Sequence, residues 1–287
     1  MDNKVVNQGV FYVVATPIGH LDDISQRALQ VLQQVDVILA EDTRHSAKLL
    51  RHYGINTKTK ACHDHNEANL LAWVHDQLDA GNSLALISDA GTPLISDPGY
   101  VLVKSLQGAA QQVVPVPGAC SIIAALSAAG LPTDRFRFEG FLPAKAAARQ
   151  TALASFADCD TTVVLLESSH RIMATLADMT NVLSAEHEIC LAREISKHYE
   201  QFLHGTAVSI RQQLAVNPEF QRGEFVLMLA PAPKRNQTSA EWQIERNLLQ
   251  ALLPEMPVQK AVQITMSVSD KRKNELYALA VELKNAE

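Results

Sequence analysis

Short apolar runs of Val, Ile, Leu and Ala recur along this chain, each followed by a loop of small or polar residues and then by a helical pattern with legible ends. Runs that stay apolar throughout, instead of alternating with polar residues, belong to strands covered on both faces, which is the condition of a parallel sheet flanked by helices. Val10–Ala15, Val35–Ala40, Ser83–Ser88 and Gln112–Val116 are read as strands. Asp42 is placed to cap a helix that runs to Tyr53 and stops at Gly54, and Asn66 opens another that runs to Ala80 and stops at Gly81. Asp97 followed by Pro98 reads as a third N-cap with proline at the first helical position. Strands alternating with helices predict an α/β unit, and in such sheets ligands lie in the crevice beyond the carboxyl ends of the strands.

The turn-rich segment Gly130-Leu131-Pro132-Thr133-Asp134-Arg135 interrupts this pattern. Strands resume at Arg137–Phe141, Thr161–Glu167, Ile189–Arg193 and Glu224–Ala230, and Pro231-Ala232-Pro233-Lys234-Arg235 reads as a linker. Beyond it, Thr238-x-x-Glu241 has the form of a capping box, Val258–Met266 a short helix, and Ser269 is placed to cap a last helix to about Lys284. The expected architecture is therefore two α/β domains, residues 1–130 and 131–233, plus a small helical appendage, residues 234–287, resembling a helix-turn-helix.

Apolar residues make up 47% of the 287 and charged residues 20%, an ordinary globular composition that excludes long disorder, collagen and coiled coil. No apolar run follows Met1-Asp2-Asn3-Lys4, and the most apolar stretch, Val116 to Leu131, is broken by Pro117 and Gly118, short of the roughly 20 residues that span a bilayer. The expectation is a cytoplasmic protein without membrane contact. Cys62, Cys120, Cys159 and Cys190 form no CxxC pair, so the reading is buried or half-buried thiols, with neither a disulfide framework nor a zinc knuckle. A net charge of -6 argues against coating nucleic acid non-specifically, while leaving room for a local basic face.

GxGxxG, GxxxxGK[ST] and GxSxG are all absent, which removes the main support for dinucleotide, P-loop and nucleophile-elbow chemistry. Instead, Ser88-Asp89-Ala90-Gly91-Thr92-Pro93-Leu94-Ile95-Ser96-Asp97-Pro98-Gly99 follows a strand directly. Its small residues permit close approach of a ligand to backbone, and Asp89 sets a carboxylate at the strand's end. Pro115-Val116-Pro117-Gly118-Ala119-Cys120-Ser121 leads into a small-residue helix whose first N–H groups are available to polar ligand atoms. Read as structure alone, these are a turn of turn-formers and a packed helix.

Taken in order, Val14-Ala15-Thr16-Pro17-Ile18-Gly19, the SDAGTPLISDPG loop and PVPGACSIIAALSAAGLPTDRF resemble the S-adenosylmethionine-dependent tetrapyrrole (corrin/porphyrin) methylase superfamily. Ala40-Glu41-Asp42-Thr43-Arg44-His45, His63-Asp64-His65-Asn66-Glu67, Glu139-Gly140-Phe141-Leu142-Pro143 and Glu167-Ser168-Ser169-His170-Arg171 are similar to a bacterial subfamily that 2'-O-methylates a cytidine of 16S rRNA. The resemblance implies S-adenosylmethionine in a cleft between the two α/β domains, a homodimer, and 16S rRNA or the small ribosomal subunit as substrate. Carried over by position, Pro17, Ile18, Asp89, Gly91, Thr92, Cys120, Ser121 and Leu166 would line the cofactor. Gly91-Thr92-Pro93 stands where tetrapyrrole-methylating members usually carry Gly-Asp-Pro.

A ribose hydroxyl is a weak nucleophile and gains from a general base or a neighbouring cation. Candidates are Glu41, Asp42, Arg44 and His45 after the second strand and His65 with Glu67 in the next loop, set against Asp42 as a plain N-cap and His65 as a loop histidine. Arg44, Lys145, Arg149, Arg171 and Arg193, with Lys271, Arg272, Lys273 and Asn274 in the tail, are candidate phosphate contacts, although single surface cations are commonly solvated or ion-paired. His63, His65 and Glu67 at period two would make a two-histidine, one-carboxylate metal site in an extended segment, and a helix starting at Asn66 would break it; no metal is expected. Alternatives to RNA methylation are methylation of a tetrapyrrole or a protein side chain, a metal-dependent phosphoesterase built on the HDHNE segment, and a non-catalytic ribosome-binding factor.

Overall fold

The computed structural model describes residues 9–232, 242–269 and 271–285, and the chain divides into two compact units, Met1–Ala232 and Pro233–Glu287. The first unit begins with β1 (Val10–Val14), α1 (Gln26–Gln34), β2 (Val37–Ala40), α2 (Thr43–His52), β3 (Lys58–Ala61), α3 (Glu67–Asp79), β4 (Leu84–Ile87), α4 (Tyr100–Gly108), β5 (Gln112–Val116) and α5 (Ser121–Ala128). These five strands form a wholly parallel sheet in the order β3-β2-β4-β1-β5. Strand alternation sorts the apolar runs between its faces. Val10, Tyr12, Val14, Ala85 and Ile87 pack with Ala28, Val31 and Leu32 of α1 and Leu50 of α2, while Phe11, Leu84 and Leu86 meet Val74 and Leu78 of α3 and Leu102 and Leu106 of α4. Both faces are covered, as the unbroken apolar runs require.

Local sequence explains most helix starts. Ser25 and Asp42 accept first-turn N–H bonds and cap α1 and α2. Asn66 precedes α3 but does not cap it: its carboxamide accepts from the His63 N–H (2.8 Å) and donates to the Ala61 carbonyl (3.1 Å), closing the preceding turn. The Asp97-Pro98 expectation also fails, since α4 begins at Tyr100 with Gly99 at its N-cap.

Five further strands build a second sheet: β6 (Phe136–Phe141), α6 (Ala146–Ala154), β7 (Thr162–Ser168), α7 (Ile172–Val182), β8 (Ile189–Arg193), β9 (Gln201–Gly205), α8 (Ala207–Val216) and β10 (Glu224–Leu229) follow one another in the chain. Its order is β6-β7-β10-β8-β9, with β6 and β7 parallel and the other pairs antiparallel. One face packs on α6, α7 and α8 through Leu153, Leu176, Met179, Ile210 and Leu214. The other face, presenting Val164, Cys190, Ala192, Val226 and Met228, is covered by Ile122, Ala125 and Leu126 of α5. The small-residue helix that ends the first half therefore seals the second sheet, which is why both sheets belong to one compact unit.

In the second unit α9 (Gln243–Leu252), α10 (Val258–Met266) and α11 (Lys273–Asn285) enclose a core of Leu249, Ala261, Val262, Leu276, Leu279, Ala280 and Leu283. Ser269 does not cap α11, which starts at Lys273; its hydroxyl donates to Glu245 (2.6 Å) and accepts from the Lys271 N–H (3.1 Å). The expected Thr238-x-x-Glu241 capping box and the linker from Pro233 onward lie outside the described residues. Among the described residues no helix is long and apolar enough to cross a membrane.

Candidate active site

A cavity of about 510 Å³ opens where the carboxyl ends of β1, β2, β4 and β5 face the second sheet. The first half contributes Ile18, Glu41, the loop from Asp89 to Asp97, and Cys120, Ser121 and Ile122 at the start of α5; the second contributes Phe141, Leu166, Ser168, Ser169 and the start of β10, Gly223–Val226. Backbone ties hold the first-half loops rigidly. Thr16 and Gly91 exchange N–H bonds of 2.8 and 3.0 Å, the Thr16 hydroxyl donates to the Ser88 carbonyl, and the Thr92 hydroxyl donates to the Ala119 carbonyl (3.1 Å). Gly91, at φ 80°, is in the left-handed region that this crossing of two loops requires.

Of the residues expected to line a cofactor, Ile18, Asp89, Gly91, Thr92, Cys120, Ser121 and Leu166 all border the cavity, and Pro17 does not. The N-terminus of α5 faces it without a side-chain cap, leaving first-turn N–H groups for a ligand carboxylate.

The wall of the first half is acidic. The Asp42 N–H donates to Asp89 (3.1 Å) and the Asp89 N–H to Glu41 (3.4 Å), which links the loops after β2 and β4. Burial, with the nearby Asp89, Asp64 and Asp42 carboxylates, raises the Glu41 carboxyl above its ordinary range against the lowering effect of the Asp89 N–H. Asp97 is pushed up to about 6, first by burial and then by the charges of Glu41, Asp89 and Asp64, in spite of a hydrogen bond to Ser88. Asp42 is the opposite case: the Arg44 side chain, then the N–H groups of Arg44 and His45, hold it at about 2.

Glu41 therefore stands on the cavity wall, while Asp42, Arg44 and His65 do not. Asp42 and Arg44 form a bidentate pair over the first turn of α2, and His65 is exposed in the turn before α3. The period-two geometry across His63, His65 and Glu67 is broken, because Glu67 is buried in α3 with its carboxylate on the Leu102 N–H (2.8 Å). Among the described residues no group of three or more His, Cys, Asp or Glu is arranged to hold a metal ion. Cys62 and Cys190 are buried thiols pushed up to about 12 and 11, whereas Cys120 and Cys159 are partly accessible.

The expected phosphate contacts divide sharply. Arg149 is buried and bonded to Asp178 at 2.6 Å, and Arg193 donates to the carbonyls of Arg222, Tyr199 and Glu219, so both are structural. The Arg171 guanidinium reaches the carbonyls of Leu142 (2.6 Å) and Pro143 and lies 3.4 Å from Glu167, fixing the loop after β6. Lys145 is exposed at the start of α6. Arg272 and Lys273 are exposed in the second unit, where the Lys271 ammonium lies over the Trp242 ring at 5.3 Å.

Ser168, Ser169 and Phe141 sit in segments that the sequence singles out, at the carboxyl ends of β7 and β6. Gly223–Val226 carry no such signal. They reach the cavity because β10 runs antiparallel to β7, which sets Glu224 opposite Ser168.

Comparison with known proteins places this architecture. Ribosomal RNA small subunit methyltransferase I of Pseudomonas aeruginosa is 46% identical over 279 residues, covering 96% of this chain and 98% of that protein. The protein of the same name from Haemophilus influenzae is 47% identical over 269 residues, 94% of this chain and 95% of that one. In fold, the chain is similar to the solved uroporphyrin-III C-methyltransferase from Thermus thermophilus complexed with S-adenosyl homocysteine, with a TM-score of 0.52 at 17% identity over 77% of this chain and 96% of that one. Residues 244–284 match the RsmI C-terminal HTH domain. Residues 10–210 match the Tetrapyrrole (Corrin/Porphyrin) Methylases, and the chain belongs to that family.

Proposed function

We propose that this protein methylates the 2'-hydroxyl of a cytidine ribose in the decoding centre of 16S ribosomal RNA, taking the methyl group from S-adenosylmethionine. The observation that carries the reading is similarity along both units to ribosomal RNA small subunit methyltransferase I proteins, the helical tail included. A tetrapyrrole methylase has no evident need of that tail, and the broken HDHNE geometry removes the basis for a phosphoesterase.

The cavity's donor set fits the cofactor. Its sulfonium and ammonium charges suit a wall carrying Glu41, Asp89 and Asp97, its carboxylate suits the uncapped start of α5, and Ile18, Leu166, Phe225 and Val226 offer apolar contact to a base. When bound, S-adenosylmethionine supplies an activated methyl group on sulfur. Ile18, Asp89, Gly91, Thr92, Cys120, Ser121 and Leu166 then position it and exclude water, since an in-line transfer draws its rate chiefly from alignment. Phe141, 55% exposed at the cavity wall, offers a stacking face to an unstacked base. Residues 1–130 and 131–233 act as the two halves of the cleft, and residues 234–287, with Lys271, Arg272 and Lys273, engage RNA phosphates. Lys145 and the half-buried Arg171 are the corresponding cations of the body. The acting form is a homodimer in the cytoplasm.

The test is transfer of labelled methyl to small subunits from a strain lacking this enzyme, followed by nuclease mapping. One ribose methyl on one 16S cytidine is expected. Label on a base, or none on RNA with S-adenosylmethionine binding intact by calorimetry, would refute the substrate; no binding would refute the chemistry.

A further inference from the structure

The last helix of the second unit sorts its surface charges by flank. Leu276, Leu279, Ala280 and Leu283 of α11 pack into the core with Leu249 of α9 and Ala261 and Val262 of α10. Successive residues turn by about 100° around a helix, so Glu275 and Glu282 fall together on one flank of the remaining surface. Lys273, Tyr277, Val281 and Lys284 form a row along the other flank, with Asn274 beside its start. All four side chains of the row are exposed, Tyr277 to 43% and Val281 to 38%. At ~1.5 Å per residue the row runs along about 16 Å of helix.

The acidic flank is engaged within the unit. The Glu275 carboxylate accepts the Arg272 N–H (3.0 Å), and Glu282 lies 3.5 Å from Arg246 of α9. The basic flank is not: among the described residues no carboxylate pairs with the Arg272, Lys273 or Lys284 side chains, and no hydrogen bond engages the Tyr277 hydroxyl. The segment leading into the row is held in place, because the buried Glu245 accepts from the Ser269 hydroxyl (2.6 Å), which accepts in turn from the Lys271 N–H (3.1 Å). A ligand therefore meets a preformed surface, an aromatic ring with one ammonium group a turn before it and another two turns after. Such a ring stacks on a base that is free of its neighbours, and the flanking cations suit the phosphates of the same strand.

We propose that this row of α11 grips an unpaired stretch of RNA, with Tyr277 stacked on one base and Lys273 and Lys284 against phosphates on either side of it. The inference rests on the RNA substrate of the function proposed above. It gives the tail a task that a cluster of cations alone does not perform. Cations hold any phosphate backbone, paired or unpaired, whereas a ring stacks only where a base has left its helix. Every base has a face to stack on, so the row selects an unpaired strand and not a sequence.

The test uses the full chain with two RNA oligonucleotides of equal length, one single-stranded and one base-paired, alongside calorimetry with S-adenosylmethionine. Wild type should bind the single strand more tightly. Tyr277→Leu, which keeps an apolar side chain and a good helix former, should weaken that binding about 5–150-fold, the range that loss of one stacked base gives. Its salt dependence should stay as in wild type, and Tyr277→Phe should bind within about twofold of wild type because the ring remains. Lys273→Ala/Lys284→Ala should instead lower the slope of log affinity against log salt by about 0.7 for each phosphate lost on a single strand. Cofactor affinity should be unchanged throughout. Ultraviolet crosslinking of wild type should join Tyr277 to RNA, a reading that needs no variant to fold. Leucine binding as well as tyrosine, equal affinity for the duplex, or crosslinks elsewhere and none at Tyr277 would each overturn the assignment. Capture of small subunits without binding to either RNA would give the row to a protein partner and overturn it as well. RNA binding through Tyr277 with no methyl transferred would refute the proposed activity alone.

Discussion

Replacing Asp97 by Asn should stabilise the protein at neutral pH. The folded structure raises this carboxyl from 3.8 to about 6, so it favours the protonated form and penalises the charged one. At 1.36 kcal/mol per unit, the penalty reaches a ceiling of about 3 kcal/mol above the folded value. Its sign follows from the direction of the shift: the folded state binds the extra proton, so the stability is fully present below about pH 4 and is lost as pH rises through about 6. Water at the cavity mouth screens part of it, leaving about 1–3 kcal/mol to be recovered by a neutral, isosteric amide that can still bond to Ser88. In a domain this large that is a rise in Tm of roughly 3–10 °C. Urea unfolding of both proteins at pH 7.5, 5 and 3 reads the effect directly: the gain should be largest at 7.5, about half as large at 5, and close to zero at 3. No gain at 7.5, or a gain independent of pH, would show that Asp97 carries no burial penalty and would remove the reason for its raised titration.

Three other outcomes follow from the structure. Asp178→Ala strands the buried Arg149 guanidinium, now 2.6 Å from its partner, and should cost about 3–5 kcal/mol in urea unfolding, with Arg149→Met milder than Arg149→Ala. Gly99→Ala drives a methyl group into Leu86 and Leu94 at a φ of 128°, so it should shift the Asp97 loop and weaken S-adenosylmethionine binding at least several-fold by calorimetry; unchanged affinity would show that the loop does not shape the site. Lys271→Ala/Arg272→Ala/Lys273→Ala should leave cofactor affinity intact, weaken small-subunit binding, and flatten log affinity against log salt by about 0.7–0.9 for each phosphate no longer neutralised. An unchanged slope would make that cluster a solvated face.

Much of the core architecture is written locally. β1 and β4 are apolar throughout because both faces of a parallel sheet are covered, and that pattern needs no knowledge of the partner strands. Asp42 caps α2 through a side chain and N–H groups two and three residues away, again a local matter. The loops after β4 and β5 announce themselves by composition and the loop after β1 by family resemblance, and seven of the eight residues that the resemblance sets against a cofactor border the cavity. By contrast, β3 (Lys-Thr-Lys-Ala) and β9 (Gln-Phe-Leu-His-Gly) are edge strands whose polar residues carry no strand signature, and pairing alone makes them strands.

Tertiary structure decided the chemistry of individual groups. Arg149 and Arg193 look like phosphate ligands in sequence, but a carboxylate and carbonyls distant along the chain engage their guanidinium groups. Gly223–Val226 reach the cavity only through the antiparallel register of β10 with β7. Asp97, beside a proline and ahead of a helix, has every local mark of an N-cap. It becomes a cavity carboxylate because the chain turns through left-handed backbone at Leu94, Ser96 and Gly99, with Glu41 and Asp64 brought near from two other loops and Asp89 from the start of its own. Helix caps and strand periodicity depend on neighbours within a few residues, so they are legible in sequence. The charge state of a carboxyl depends on burial and on Coulomb interactions with groups tens of residues away, which come within range only when the chain has folded.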